Sequence, residues 1–485
     1  MRKKVSGCKR FLGVVLFVSL VVLQFSTICA YADVSSVIPP AVSADWAING
    51  ICFPSADEGW AVGFDNINKT GVSLHYANGT WTNVTLPAVS SQHWSLYAVS
   101  FPSAAEGWAV GKDTTNEKGL LFHYTGGAWT NITLPDVRGG GKWSLNSVSF
   151  PSTTEGWAVG VHPFPGGAGG VLLHYTNGTW SNVWPPMGVA SFWNLNGISF
   201  SSSTEGWAVG EDFTNDPDND KGVLLHYVYG DWTNIAPPVV SASPGAYWSL
   251  NSVSFPSTNE GWAVGEDDTN YLTSKTGVLL HFTNGTWTNA TLPSVSPVWW
   301  LNGVNFPSAA EGWAVGAKGD SVDKNANLQG VLLHYSNGVW NNVTLPHVSS
   351  NWDLTRGGVS FPSPTEGWAA GYDIANKRGV LLHISSTNNC AASLSNDFKV
   401  HVPIGVYSGQ SYSADFKWDG GDSVILTNLT PLNDTSPFSN CAPSTVSSAL
   451  LLHIPVIMYN GISYWADVQC NTDESPFKIV RVGQN

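Results

Sequence analysis

The chain has 485 residues, of which 43% are hydrophobic and only 12% charged, and its formal charge is −14. The length exceeds one ordinary core and implies more than one domain, and the hydrophobic content excludes a solvated disordered chain. The acid excess (35 Asp and Glu against 21 Lys and Arg) excludes the basic surface that nucleic-acid binding needs. The sequence also holds 24 Trp. A buried indole removes about 150–250 Å² from water, so these residues need a structural or functional address.

Residues 1–32 read as a secretory signal peptide. Arg2, Lys3, Lys4, Lys9 and Arg10 precede an almost wholly apolar run, Phe11–Ala30, which ends in the small-x-small triplet Ala30-Tyr31-Ala32. Cleavage there makes Asp33 the mature start. The alternative is an uncleaved membrane anchor, because the apolar run is long for a signal core. Losing these five positive charges takes the mature chain from −14 to −19. No other run is long and apolar enough to span a bilayer as a helix. The expected location is secreted or extracytoplasmic, in the periplasm or at the cell surface. Cys52, Cys390, Cys441 and Cys470 then sit in an oxidising setting, and their spacing matches no zinc pattern. A Cys441–Cys470 bridge is the preferred pairing, with Cys52 buried in a strand where other copies carry Ser or Asn.

From residue 33 to 385 one pattern recurs seven times. Its core is E-G-W-A-V-G (E-G-W-A-A-G in the last copy), with Trp60, Trp108, Trp157, Trp207, Trp262, Trp313 and Trp368. Around it stands W-x-L-N-x-V-x-F-P-S before, and G-V-L-L-H-Y-x-N-G-x-W-x-N after. Each unit holds four short strand-like runs separated by turn signals; in the second copy they are Leu96–Phe101, Glu106–Gly111, Gly119–Tyr124 and Ala128–Leu134. The third run is apolar on both faces, which requires burial on both faces. The expected fold is all-β, a seven-bladed β-propeller of four-stranded blades. The last copy stops after its third run, Gly379–Ile384. Residues 34–39 resemble the end of a fourth strand and are expected to close blade seven.

These repeats resemble the BNR or Asp-box superfamily of propellers, and within it photosystem II assembly-factor-type repeats. The G-W-A-V-G strand and the hairpin His75-Tyr76-Ala77-Asn78-Gly79-Thr80-Trp81 carry the likeness, over about residues 34–385. Asn78 replaces the family's Asp, and other copies carry Gly126, Asn177, Tyr229, Asn284 and Asn337 there. The resemblance implies the fold; one fold hosts many functions.

Residues 386–485 break the period and match themselves. His401-Val402-Pro403 corresponds to His453-Ile454-Pro455, and the segment Tyr407–Asp415 to Tyr459–Asp467, at an offset of 52. Both halves alternate around Gly turns, which predicts a small β domain of two duplicated modules. It resembles short C-terminal β modules of bacterial secreted proteins.

A residue present in every blade is explained by the blade. The seven strand-three histidines (His75, His123, His174, His226, His281, His334 and His383) are expected to pack with a ring N–H on backbone. The seven glutamates before G-W are expected to hold turn N–H groups. Function should sit where copies differ, on the face that carries the loop between the second and third strands. Trp46, Trp94, Trp143, Trp193, Trp248, Trp299 and Trp352 open the first strands. They either ring the channel mouth as a stacking surface or pack blade on blade. The candidate binding set is Phe192, Tyr247 and Trp300, with Trp94, Trp143, Trp193 and Trp299 from that ring; Trp184 also breaks the pattern. Asp216, Asp218 and Asp220 alternate as in a calcium loop, so Ca²⁺ is the one cofactor considered. Lys221 and Tyr227 stand where such a loop needs Gly and Glu.

Catalysis is not expected. Sialidase-type enzymes of the resembled superfamily use an arginine cluster, and this propeller segment has only Arg138, Arg356 and Arg378, all expected outside the repeat strands. No G-x-S-x-G, H-E-x-x-H or phosphate loop appears. The reading is an exported, non-catalytic binding or assembly protein with a protein or glycan partner. The alternative is a glycan-binding or glycoside-hydrolase-like protein using the same face.

Overall fold

The computed structural model describes residues 33–385 and the strand segments between 392 and 484. Within the first range residues 90, 138–140, 165–166, 187–191, 214–220, 242–246, 270–273, 322–326 and 337 are not described. The chain forms two compact units, Val34–Ser385 and a second one that includes Ser386–Asn485. Residues 1–32 and the cysteines Cys390, Cys441 and Cys470 lie outside the described residues, so the signal and the bridge have no structural account. No helix among the described residues is long and apolar enough to cross a membrane.

The first unit is a seven-bladed propeller. Blade one consists of Trp46–Ser55, Glu58–Asp65, Thr70–Ala77 and Thr80–Asn83, paired in that order. Blades two to six repeat this arrangement. Blade seven takes three strands from one end of the chain (Trp352–Ser363, Glu366–Asp373 and Arg378–Ser385) and its outer strand, Asp33–Val37, from the other. The hairpin between strands three and four turns through Asn78 (φ 52°) and Gly79 (φ 79°), with Asn177, Tyr229 and Asn284 at the equivalent place. Positive φ at both central residues is the type I′ requirement. Asn therefore stands in that position as a turn former.

The core lies between blades. Trp60 stacks on its own blade's His75 (4.2 Å) and on Phe101 of the next blade (5.0 Å, 4°), while Trp129 meets it edge-on at 90°. The same pile recurs around the ring, as for Trp207 between His226 and Phe255. A second ring of contacts is polar. The residue before each Phe accepts the backbone N–H of the next blade's Phe: Ser100 Oγ from Phe150 (3.1 Å), Ser254 Oγ from Phe306 (2.9 Å), and Ser360 Oγ from Phe53 (2.8 Å), which closes the circle. Cys52 holds this place in blade one with its Sγ 3.3 Å from the Phe101 nitrogen. It is a free thiol, and burial pushes it up to about 11, so it is inert packing.

Nearest the axis, each W-x-L-N asparagine donates to a leucine carbonyl one blade on. Asn49 reaches Leu96 at 2.7 Å, Asn196 reaches Leu250 at 3.0 Å and Asn302 reaches Leu354 at 2.6 Å. Blades two and seven differ. Blade two carries Tyr97 at this position. In blade seven Thr355 replaces the asparagine and bonds Ile48 O (3.1 Å), and two extra residues follow between Leu354 and Val359.

The second unit is an eight-stranded sheet whose two halves repeat in register. Ser393 opposes His401 and His401 opposes Asp415; at an offset of 52, Thr445 opposes His453 and His453 opposes Asp467. The equivalent strands Ser423–Pro431 and Phe477–Gln484 pair with each other, and a parallel Ala392↔Ile457 contact closes the sheet on itself.

Candidate functional site

The repeated residues have packing roles, with partners that differ from expectation. Each strand-three His pairs through Nε2 with the carboxylate of the E-G-W glutamate in its own blade, as in His123–Glu106 (2.9 Å), His334–Glu311 (2.6 Å) and His383–Glu366 (3.1 Å). Backbone and turn N–H groups are not these partners. Strand register explains it: Trp60 lies opposite His75, which puts Glu58 one pleat along on the same face.

The four mouth tryptophans in the candidate set are also packing residues. Trp94, Trp143, Trp193 and Trp299 are only 4–5% exposed. Each lies flat on the glycine that leads the third strand of the preceding blade. A Cβ on Gly71, Gly119, Gly170 or Gly277 would fall 2.1–2.7 Å from the indole above it. Their faces are covered, so they offer no stacking surface to a ligand.

The supposedly variable loops are not all variable. In blades one, two and seven they share one build, in which an Asp closing strand two caps the loop. Asp65 accepts from Ile67 N and Asn68 N, Asp113 from Asn116 N, and Asp373 from Asn376 N, at 2.8–3.1 Å. The fifth residue (Lys69, Glu117 and Lys377) takes positive φ in all three. Departure from the pattern is therefore concentrated in blades three to six.

There the remaining candidates meet. The Tyr247 hydroxyl donates to Glu211 (3.2 Å), whose other oxygen accepts from Asn194 (2.6 Å). On the next blade, Lys275 bridges Glu266 (2.8 Å) and Asp268 (3.2 Å), and its ammonium stands 4.8 Å over the Trp300 ring. Tyr247 and Trp300 are thus half-buried parts of one polar and aromatic rim spanning blades four to six. Phe192, which opens blade four, packs against Phe213 at 6.3 Å. Trp184 is exposed, after the fourth strand of blade three. Asp216, Asp218 and Asp220 lie outside the described residues.

One residue of this site was misjudged in the sequence. Arg356 is not outside the strands: it lies in Trp352–Ser363, on the two-residue insertion of blade seven. Its guanidinium crosses the axial channel and donates to Asn196 Oδ1 of blade four (2.7 Å) and Asn251 Oδ1 of blade five (2.9 Å). Its side chain keeps contact with solvent; desolvation by the surrounding blades lowers its pKa, and Glu211 and Glu266 oppose that. Arg378 also lies in a strand and binds Asp373 instead (3.4 Å), while Arg138 is not described. The insertion was visible as a count: Trp352 to Phe361 is two residues longer than Trp299 to Phe306.

The electrostatics bear on two protonation states, those of Tyr247 and Asp353. Burial, then the Glu211 carboxylate, holds the Tyr247 phenol far above its ordinary value, so it stays a neutral donor. In blade seven, burial pushes the Asp353 carboxyl up to about 6, and its Oδ1 has no partner. The fold favours the protonated form. This group's contribution to stability is present at low pH and is lost as pH rises through about 6. Asp353→Asn is expected to be more stable than the wild type by about 1–3 kcal/mol at about pH 7.5, with the gap closing by about pH 4. Urea titrations across that range check it; a gap independent of pH would reject the buried-carboxyl account.

No family model matches the chain, and no curated protein matches it. Solved structures similar to it include YCF48 bound to D1 peptide (17% identity, TM-score 0.49, covering 75% of this chain and 99% of that one). Two others are a Mycobacterium tuberculosis puromycin-hydrolyzing peptidase (12%, 0.41, 88% and 58%) and a mutant of the Aleuria aurantia lectin in complex with Fucalpha1-6GlcNAc (13%, 0.39, 62% and 96%). All three scores lie below 0.5, so the sevenfold architecture rests on this chain's own strand pairing.

Proposed function

We propose that the chain is an exported, non-catalytic binding or assembly protein that engages a protein or glycan partner at the channel mouth, on the loop face of blades four to six. The observation that carries this reading is the convergence of residues that break the repeat. Tyr247, Glu211, Glu266, Lys275 and Trp300 come from three blades, and each stands where most other copies carry something else. The leader-like residues 1–32 support export, and the Asp-box-like repeats support a propeller of that superfamily. The second reading, a glycan-active enzyme, has carboxylates available in Glu211 and Glu266, but the phenol beside them is kept neutral.

The test is affinity capture with the full chain, followed by titration of the captured partner. The double variant Tyr247→Ala/Trp300→Ala is expected to weaken partner binding about tenfold or more while leaving the melting midpoint nearly unchanged. Undiminished binding rejects this face. Sugar release from a captured glycan rejects the non-catalytic reading.

A further inference from the structure

We propose that the axial channel beneath this rim is a site for a small zwitterion of α-amino-acid type, with Arg356 taking the carboxylate and the Glu211–Glu266 pair taking the ammonium. The inference rests on the loop face being the binding face, and it adds a second, small ligand to that face.

The floor comes first. A guanidinium has five N–H donors. Among the described residues Arg356 spends them on two amide oxygens, Asn196 and Asn251, and no described carboxylate forms an ion pair with it. The asparagines are themselves fixed, because each Nδ2 already donates to a leucine carbonyl of the next blade (3.0 and 2.9 Å). The guanidinium is therefore held in place by two fixed amide oxygens, in a side chain that keeps contact with solvent, and an oxyanion can take its remaining donors. No other blade has an arginine in its first strand or the insertion that carries it.

The rim sets the selectivity. Asn194 precedes Asn196 by two residues and lies opposite Glu211; Ser249 precedes Asn251 by two residues and lies opposite Glu266. At the backbone both glutamates therefore stand one pleat, about 7 Å, nearer the loop face than the asparagines that hold Arg356. Glu211 has accepted two hydrogen bonds, and a carboxylate can accept about four. A simple anion descending to Arg356 meets two carboxylates, and a simple cation meets Arg356 and Lys275. A ligand with both charges satisfies floor and rim together. The short rise between the two levels fits the close charges of an α-amino acid better than those of a long-chain zwitterion.

Calorimetric titration of the full chain tests this with L-alanine, acetate, methylammonium and 6-aminohexanoate as probes. Alanine is expected to bind, with each other probe about tenfold weaker or more. Arg356→Gln should abolish alanine binding, and Arg356→Lys, which keeps the charge but not the fork, should weaken it. Glu211→Gln/Glu266→Gln should weaken alanine and strengthen acetate, a reversal that loss of folding cannot produce. Acetate binding as well as alanine, alanine binding unchanged in Arg356→Gln with a native melt, or no alanine binding up to about 50 mM would each overturn the proposal. If alanine is silent while the Tyr247/Trp300 variant still loses its partner, this inference fails and the face assignment stands. If alanine binds and that variant keeps its partner, the partner reading fails instead.

Discussion

Replacing Trp207 with alanine is expected to lower the unfolding free energy by about 3–5 kcal/mol, the range for a fully buried large aromatic. Trp207 is 2% exposed and belongs to two blades at once. It stacks on His226 of its own blade at 4.0 Å and on Phe255 of the next at 5.3 Å, and Trp287 meets it edge-on at 84°. Truncation leaves a cavity at a blade interface whose neighbours are held by strand pairing and cannot collapse inward. Trp207→Phe keeps a stacking ring and discards an indole N–H that has no hydrogen-bond partner, so it is expected to cost clearly less. Trp300→Ala, on the half-buried rim, is expected to cost under about 1 kcal/mol. Denaturant titrations of the three variants make the comparison. Equal losses for Trp207→Ala and Trp300→Ala would mean that the indoles are not divided into packing and contact sets.

Deleting residues 33–42 is expected to lower the melting midpoint by about 5–10 °C. The segment does three things at the seam. Asp33–Val37 forms the outer strand of blade seven beside Arg378–Ser385. Val37 and Val42 pack on the core shared by blades seven and one, and Ala41 O accepts from Asn83 Nδ2 at 2.8 Å. Without it, blade seven has three strands and an open edge, which also invites association between chains. Melting and sedimentation of the truncated chain test both effects; an unchanged midpoint would mean that the seam is held by the inner strands alone.

The blades were legible because the repeat states its own boundaries. E-G-W marks the second strand, Asn-Gly marks the hairpin, and Val223-Leu224-Leu225 is apolar on both strand faces because both are covered. Tyr247 and Trp300 were legible as departures from that repeat. Other features depend on relations between strands or blades that no local pattern carries. The His–Glu pairs need the register that sets Trp60 opposite His75. The place of Trp193 needs Gly170, which lies in another blade. Glu266 and Lys275 look like ordinary loop charges until Trp300 is brought over them. Arg356 shows the same limit most sharply: its insertion can be counted in the sequence, but its reach to blades four and five is a property of the closed ring.

That closed ring also orders events in time. The bond from Phe53 to Ser360 joins residues 307 apart, and the strand beginning at Asp33 waits for Arg378–Ser385. As the chain emerges from its N-terminus, blades one to six can form by local hairpins while the earliest strand has no partner. Circularisation is then the final, slow step, since its loop-closure entropy must be met before the last contacts form. Until then the nascent chain carries an unpaired strand at one end and, at the other, Trp313 without the Phe361 ring that covers it in the closed propeller. The stage most exposed to mispairing comes just before the seventh blade is complete.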